Sequence, residues 1–261
     1  MSAQLSPFDL ARPAALRRLG GPPRPLARVV MFTWCGAGAS AYRRLAAELG
    51  AHLETHAVQL PGREDRFREP HLRRMDTLAG QLADEIAALA DRPLLLFGHS
   101  MGALVAYEVA RRLEQTHGVQ PRALIASGHG APDHASAPLS SEARMRWHTA
   151  DDSALIANIA RIGGTPPELL RDGEMLRTLV PTMRADYEIL ETYEHRAGPA
   201  LACPIVACAG VADREVSLDG MAGWARFSAD PGPLLWFPGD HFYLNTRPAE
   251  LVRAIETWSL R

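Results

Sequence analysis

Six short apolar runs recur along the chain: "RVVMFT" (28–33), "LETHAVQL" (53–60), "PLLLFG" (93–98), "RALIAS" (122–127), "PIVACAG" (204–210) and "PLLWF" (233–237). Several are apolar almost throughout, which suits strands covered on both faces, because a half-exposed strand alternates. Amphipathic helical patterns lie between or beside them at 40–49, 75–90, 102–116 and 248–259. Strand alternating with helix predicts an α/β fold around a mostly parallel sheet flanked by helices. The alternation breaks once. Residues 134–195 show only helical pattern, including "GGTPPELL", where Thr165 can cap, Pro166 takes the first helical position and Glu168 completes a capping box. An insertion of that size between two strands predicts a helical lid over one edge of the sheet. The chain thus divides into an irregular lead-in at 1–27, broken by Pro13, Pro22, Pro23 and Pro25, a first core segment at 28–133, the lid at 134–195 and a second core segment at 196–261.

At 261 residues and 47% apolar content the chain fits one large domain with ample core material. A net charge of −2 supplies no field for nucleic acid or an anionic membrane. All 28 basic residues are arginine, so Schiff-base chemistry and a Walker-type phosphate lysine are excluded. Cys35, Cys203 and Cys208 form neither a C-x-x-C pair nor a zinc-spaced cluster, and their odd number favours a reducing compartment. No apolar run approaches the ~18 residues of a membrane span, and no apolar segment follows the N-terminal arginines as a signal peptide requires. The expected location is the cytoplasm, the expected state a monomer.

The strongest chemical signal is "PLLLFGHSMGALVAYEVARRLE": an apolar strand ends in Gly98-His99-Ser100-Met101-Gly102 and a helix begins at once. G-x-S-x-G alone is weak, but between strand and helix it becomes a nucleophile elbow, whose glycines stand where a Cβ would strike neighbouring backbone. Leu104, Val105, Val109 and Leu113 fall on the core face of the helix; Arg111, Arg112, Glu114 and Gln115 lie away from it.

A serine hydroxyl needs a base oriented by an acid, and after such an elbow the order is serine, acid, histidine. Asp213 follows one strand in "PIVACAGVADREV" and His241 follows the next in "PLLWFPGDHFYL". Asp219 is the nearest rival acid; Asp240 is too close along the chain to reach around its neighbour's ring. His99 is expected to point away from the serine's partner, and His129 precedes the acid. His52, His56, His71, His117, His134, His148 and His195 are read as surface or lid residues. Attack on a carbonyl creates an oxyanion, and each preorganised donor to it is worth roughly 3–4 kcal/mol. The Met101 amide supplies one donor; the small-residue loop "WCGAGASA" (34–41), directly after the first strand, is expected to supply the second through Cys35 or Gly36, with Cys35 preferred.

With these pieces in place the chain resembles the type II (external editing) thioesterases of polyketide and nonribosomal peptide assembly lines, within the α/β-hydrolase superfamily. The resemblance runs from about residue 28 to 258, on "CGAGASAYRRLA", "VQLPGREDR" (58–66), "FGHSMGALVAYE" (97–108), "SGHGAP" (127–132), "GGTPPELL", "MRADYEILETY" (183–193), "GVAD" (210–213) and "GDHFYL" (239–244), in that order. It implies hydrolysis of acyl thioesters from the phosphopantetheine arm of an acyl or peptidyl carrier protein. That arm belongs to the substrate, so no cofactor is implied. Ser100 matches the family nucleophile, Asp213 the acid, His241 the base, and Met101 and Cys35 the two oxyanion amides. Where the family commonly has proline, an aromatic or histidine, then alanine, this chain has Thr33-Trp34-Cys35. The alanine-to-cysteine change keeps the backbone donor; the missing proline removes one constraint on the loop's approach. Trp34 and Phe242 are candidate walls of the acyl chamber.

Four competing readings follow from the same residues. Gly36, Gly38 and Ala41 have the spacing of a dinucleotide-binding loop, but the second strand ends in "VQLPG" without the acid that would hold a ribose, and Glu54 lies at its start. A small-molecule esterase, lipase or peptidase would use the same triad. A non-catalytic module would be expected to have lost a triad member. Cys35 as the nucleophile would compete for the same His241 from a poorer position.

Overall fold

The computed structural model describes residues 14–134, 146–246 and 248–261. Seven strands form one sheet: β1 (Leu16–Gly20), β2 (Ala27–Phe32), β3 (Leu53–Val58), β4 (Leu94–His99), β5 (Ala123–Ser127), β6 (Ile205–Gly210) and β7 (Pro231–Phe237), in the order β1-β3-β2-β4-β5-β6-β7. All neighbours are parallel except β1, which runs antiparallel to β3 at one edge. The six apolar runs are β2 to β7.

β1 corrects the reading of residues 1–27 as wholly irregular. "LRRLG" carries two arginines and no alternation, so no hydrophobic pattern announces it; its pairing does the work. Leu16 lies opposite Val58, the Ala15 and Leu16 amides donate to Glu85 at 2.7 and 2.8 Å, and Arg17 pairs with Asp65. An edge strand with charged side chains is also protected from pairing with other chains.

Alternate strand residues feed two cores. Val30, Phe32, Leu94, Leu96, Leu124 and Ala126 face α2 (Met75–Ala87) and α3 (Met101–His117). Val29, Met31, Leu95, Phe97 and Ile125 face α1 (Arg43–Glu48) and α8 (Pro248–Ser259). Between β5 and β6 come α4 (Asp152–Ile162) and α5 (Gly173–Glu191), which share a small core of their own around Leu155, Ile159, Val180, Met183 and Tyr187. The expected start of a helix at Thr165 does not form. Only a single 3₁₀ turn (Leu169–Arg171) appears there, without a side-chain cap, and α5 is instead capped by Asp172, which accepts from the Glu174 and Met175 amides at 2.9 and 3.2 Å. Part of the expected 134–195 insertion, residues 135–145, lies outside the described residues.

The parallel strands finish nearly in line, with Phe32 beside Gly98, His99 beside Ser127 and Ser127 beside Cys208. Their following loops therefore converge on one edge of the sheet, where α/β proteins place their sites. Two short helices, α6 (Leu218–Ala222) and α7 (Tyr243–Thr246), complete the fold near that edge. No helix among the described residues is long and apolar enough to cross a membrane.

Candidate active site

Ser100 sits between β4 and α3 with φ 54° and ψ −123°, a conformation that non-glycine residues rarely adopt. The glycines around it leave no alternative. A Cβ on Gly98 would stand 2.1 Å from the Gly102 carbonyl oxygen, and one on Gly102 would stand 2.1 Å from the Phe32 oxygen. The Ser100 amide donates to the Ser127 carbonyl at 2.8 Å, tying the turn to β5.

His241, 6% exposed, donates Nδ1–H to Oδ2 of Asp213 at 2.9 Å, and the Asp213 side chain is fully buried. The other carboxylate oxygen accepts the Glu215 amide at 2.8 Å, so Asp213 is itself oriented. That bond fixes the imidazole tautomer with Nε2 free as the basic nitrogen. The rivals have other work: Asp240 accepts from the Phe242 amide, and Asp219 lies in the first turn of α6.

Ser100 and His241 line one cavity of about 160 Å³. The sheet edge supplies Trp34, Cys35, His129 and Phe242; α4 and α5 supply apolar side chains such as Ile159, Met183 and Tyr187. Trp34 and Phe242 meet edge to face at 5.5 Å, and Phe242 packs likewise on His241 at 5.1 Å. Gly164 makes room for this, since a Cβ there would stand 2.2 Å from the Phe242 ring.

His99 does not point away as expected: its ring lies 4.9 Å from that of His241. Its Nδ1 bonds the Ser127 hydroxyl at 2.8 Å, and that oxygen bonds the Tyr243 hydroxyl at 2.7 Å. Burial, then the neighbouring His241 and His129, hold the pKa of His99 well below the ordinary histidine value, so the ring is neutral. His56 also departs from expectation. It is a buried residue of β3 bonded to Glu54, which also pairs with Arg28.

The loop after β2 turns at once. The Ala37 amide donates to the Trp34 carbonyl at 3.1 Å across a turn whose third residue, Gly36, has φ 78°. The Gly36 amide donates to Asp186 Oδ2 at 2.8 Å, so of the two loop amides the one of Gly36 is already committed. Among the described residues the Cys35 amide makes no hydrogen bond to another residue. Burial, and after it the Asp186 carboxylate, push the Cys35 thiol well above its ordinary range, which disfavours the thiolate a nucleophile needs.

Sequence reasoning missed what braces this loop. Gln59 accepts from the Ala39 amide at 2.6 Å, Glu64 accepts from Ser40, and Arg63 makes a bidentate pair with Asp186 at 2.7 and 2.8 Å. Gly38 is where Glu64 packs, since a Cβ there would stand 2.2 Å from its Oε1. The only signal was that "VQLPGREDR" and "MRADYEILETY" belong to the resembled family; neither says that they meet.

The Thioesterase domain family matches residues 27–259. The chain belongs to that family. Among its relatives, Thioesterase PikA5 of Streptomyces venezuelae is 39% identical over 246 residues, covering 92% of this chain and 83% of PikA5. YbtT, a solved type II thioesterase from the yersiniabactin NRPS/PKS pathway, is 34% identical with a TM-score of 0.81, covering 94% of this chain and all of YbtT. Linear gramicidin dehydrogenase LgrE of Brevibacillus parabrevis is 34% identical over 236 residues, covering 88% of each. In the present chain the glycine loop is packed by Glu64 at Gly38 and Ser40 and held by Asp186 at the Gly36 amide. The fold is that of the α/β-hydrolase thioesterases.

Proposed function

We propose that this protein hydrolyses acyl thioesters borne on the phosphopantetheine arm of an acyl or peptidyl carrier protein, clearing aberrant or stalled acyl groups from a polyketide or nonribosomal peptide synthase. The observation that carries this reading is the Asp213–His241 pair at the cavity that also holds the strained Ser100. Family membership and the type II thioesterase YbtT support the thioester over other acyl substrates. His241 Nε2 takes the Ser100 proton, Oγ bonds the thioester carbon, and the carbonyl π pair moves to oxygen. The Met101 and Cys35 amides receive that oxyanion, and the start of α3 adds its positive end. The intermediate collapses, the thiolate leaves with the proton from His241, and the same base then activates water to release a free acid. Trp34 and Phe242 wall the acyl chamber, and α4 and α5 act as its lid. All of these groups belong to the chain; the phosphopantetheine is substrate.

Ser100→Ala is expected to fold, to bind acyl-carrier protein and to lose turnover, measured by mass spectrometry of the carrier protein over time. A Ser100→Ala variant that kept near wild-type hydrolysis would contradict the assignment.

A further inference from the structure

Arg63 and Asp186 are buried, 123 residues apart, and neither belongs to the triad. Asp186 lies on α5; Arg63 lies in the loop after β3. Their contacts converge on the turn that carries Cys35. Asp186 Oδ2 accepts the Gly36 amide and one Arg63 nitrogen, both at 2.8 Å, and Oδ1 accepts the second nitrogen at 2.7 Å. Arg63 also donates to the Ala37 carbonyl at 3.2 Å. The peptide between Cys35 and Gly36 is the central peptide of a turn in which Gly36 has positive φ. Rotating that peptide would turn the Cys35 carbonyl oxygen toward the carboxylate and reset ψ of Cys35 together with φ of Gly36. A buried ion pair is a poor source of net stability compared with apolar packing, so its cost calls for another return.

We propose that Asp186, held by Arg63, is a positioning residue for the oxyanion hole: by gripping the Gly36 amide it locks the turn in the orientation that presents the Cys35 amide to the cavity. This rests on the reading of Ser100 as nucleophile and Cys35 as donor. It makes the hole a joint product of the sheet edge and the inserted helix α5, because the acceptor comes from that helix. Asp186 touches no substrate and transfers no proton.

The test separates oxyanion binding from ground-state binding. An alkyl trifluoromethyl ketone accepts Oγ of Ser100 at its carbonyl carbon, the proton passes to His241, and the electron pair moves to the carbonyl oxygen. The matching trifluoromethyl alcohol cannot react. Two variants remove the acceptor for Gly36: Asp186→Ala, and the double change Arg63→Met with Asp186→Leu. The double variant leaves no unpaired buried charge and uncovers no arginine beside the oxyanion, so it decides the matter if the single variant does not fold. In the folded variants kcat and ketone affinity are expected to fall together by about 10²–10³-fold, as for loss of one oxyanion donor, while KM and alcohol affinity stay within a few-fold. Ketone affinity at the wild-type level, or ketone and alcohol weakened in parallel, would overturn the positioning role. The wild type and Ser100→Ala keep the two claims distinguishable. If Ser100→Ala binds the ketone as tightly as wild type, the nucleophile reading fails and this proposal with it. If only the Asp186 variants behave like wild type, the positioning role alone fails.

Discussion

His99 shows how a single side chain can carry a pH dependence the mechanism does not need. It is buried, neutral and in ring contact with His241. A histidine whose folded pKa is depressed gains its proton only on unfolding, so the unfolded chain binds more protons and stability falls as pH drops through about 6.5. One such group contributes at most about 1.4 kcal/mol per pH unit to that slope. His99→Asn, which can still reach Ser127, is expected to flatten the fall in Tm between about pH 7.5 and about pH 5.5. An unchanged slope would mean that His99 is protonated in the fold. At this scale the sequence was informative where chemistry is local. Ser100, Asp213 and His241 each follow a readable strand, and the structure brings Asp213 to His241 and both Ser100 and His241 to one cavity. It was silent on Asp186, because nothing near residue 186 indicates an arginine 123 positions earlier.

Among the elements, the elbow is the most constrained. Its two glycines are required by contacts of 2.1 Å to backbone atoms, which cannot swing aside as a side-chain end can. Gly102→Ala must push β2 and α3 apart, an overpacking that costs about 1–3 kcal/mol and lowers Tm by several degrees. Gly173→Ala, where an added Cβ meets nothing, is the control and should leave Tm almost unchanged. Equal melting temperatures for the two variants would show that the elbow tolerates the methyl group. Strands buried on both faces declared themselves as apolar runs, whereas β1 did not, since it is an edge strand whose "LRRLG" holds two adjacent arginines and no apolar alternation. The start of α5 was misplaced for a related reason: "GTPPE" satisfies a capping pattern locally, but Gly164 there is used to seat Phe242, and Asp172 caps the helix instead.

For the molecule as a whole, one sheet edge gathers Ser100 and His241, and residues of the inserted helices α4 and α5 line the same cavity. The apolar lining from α4 and α5 suits an acyl chain, and the proposed triad of Ser100, His241 and Asp213 would attack thioester and oxygen ester alike. What distinguishes a carrier-protein thioesterase from an esterase is therefore the use of binding energy remote from the reacting carbon. The most direct measurement compares kcat/KM for one acyl group presented on a holo carrier protein, on a free pantetheine thioester and on a simple oxygen ester. The expected order is carrier protein first, pantetheine well behind and oxygen ester last. An oxygen ester hydrolysed as fast as the carrier-bound thioester, or faster, would contradict the proposed function.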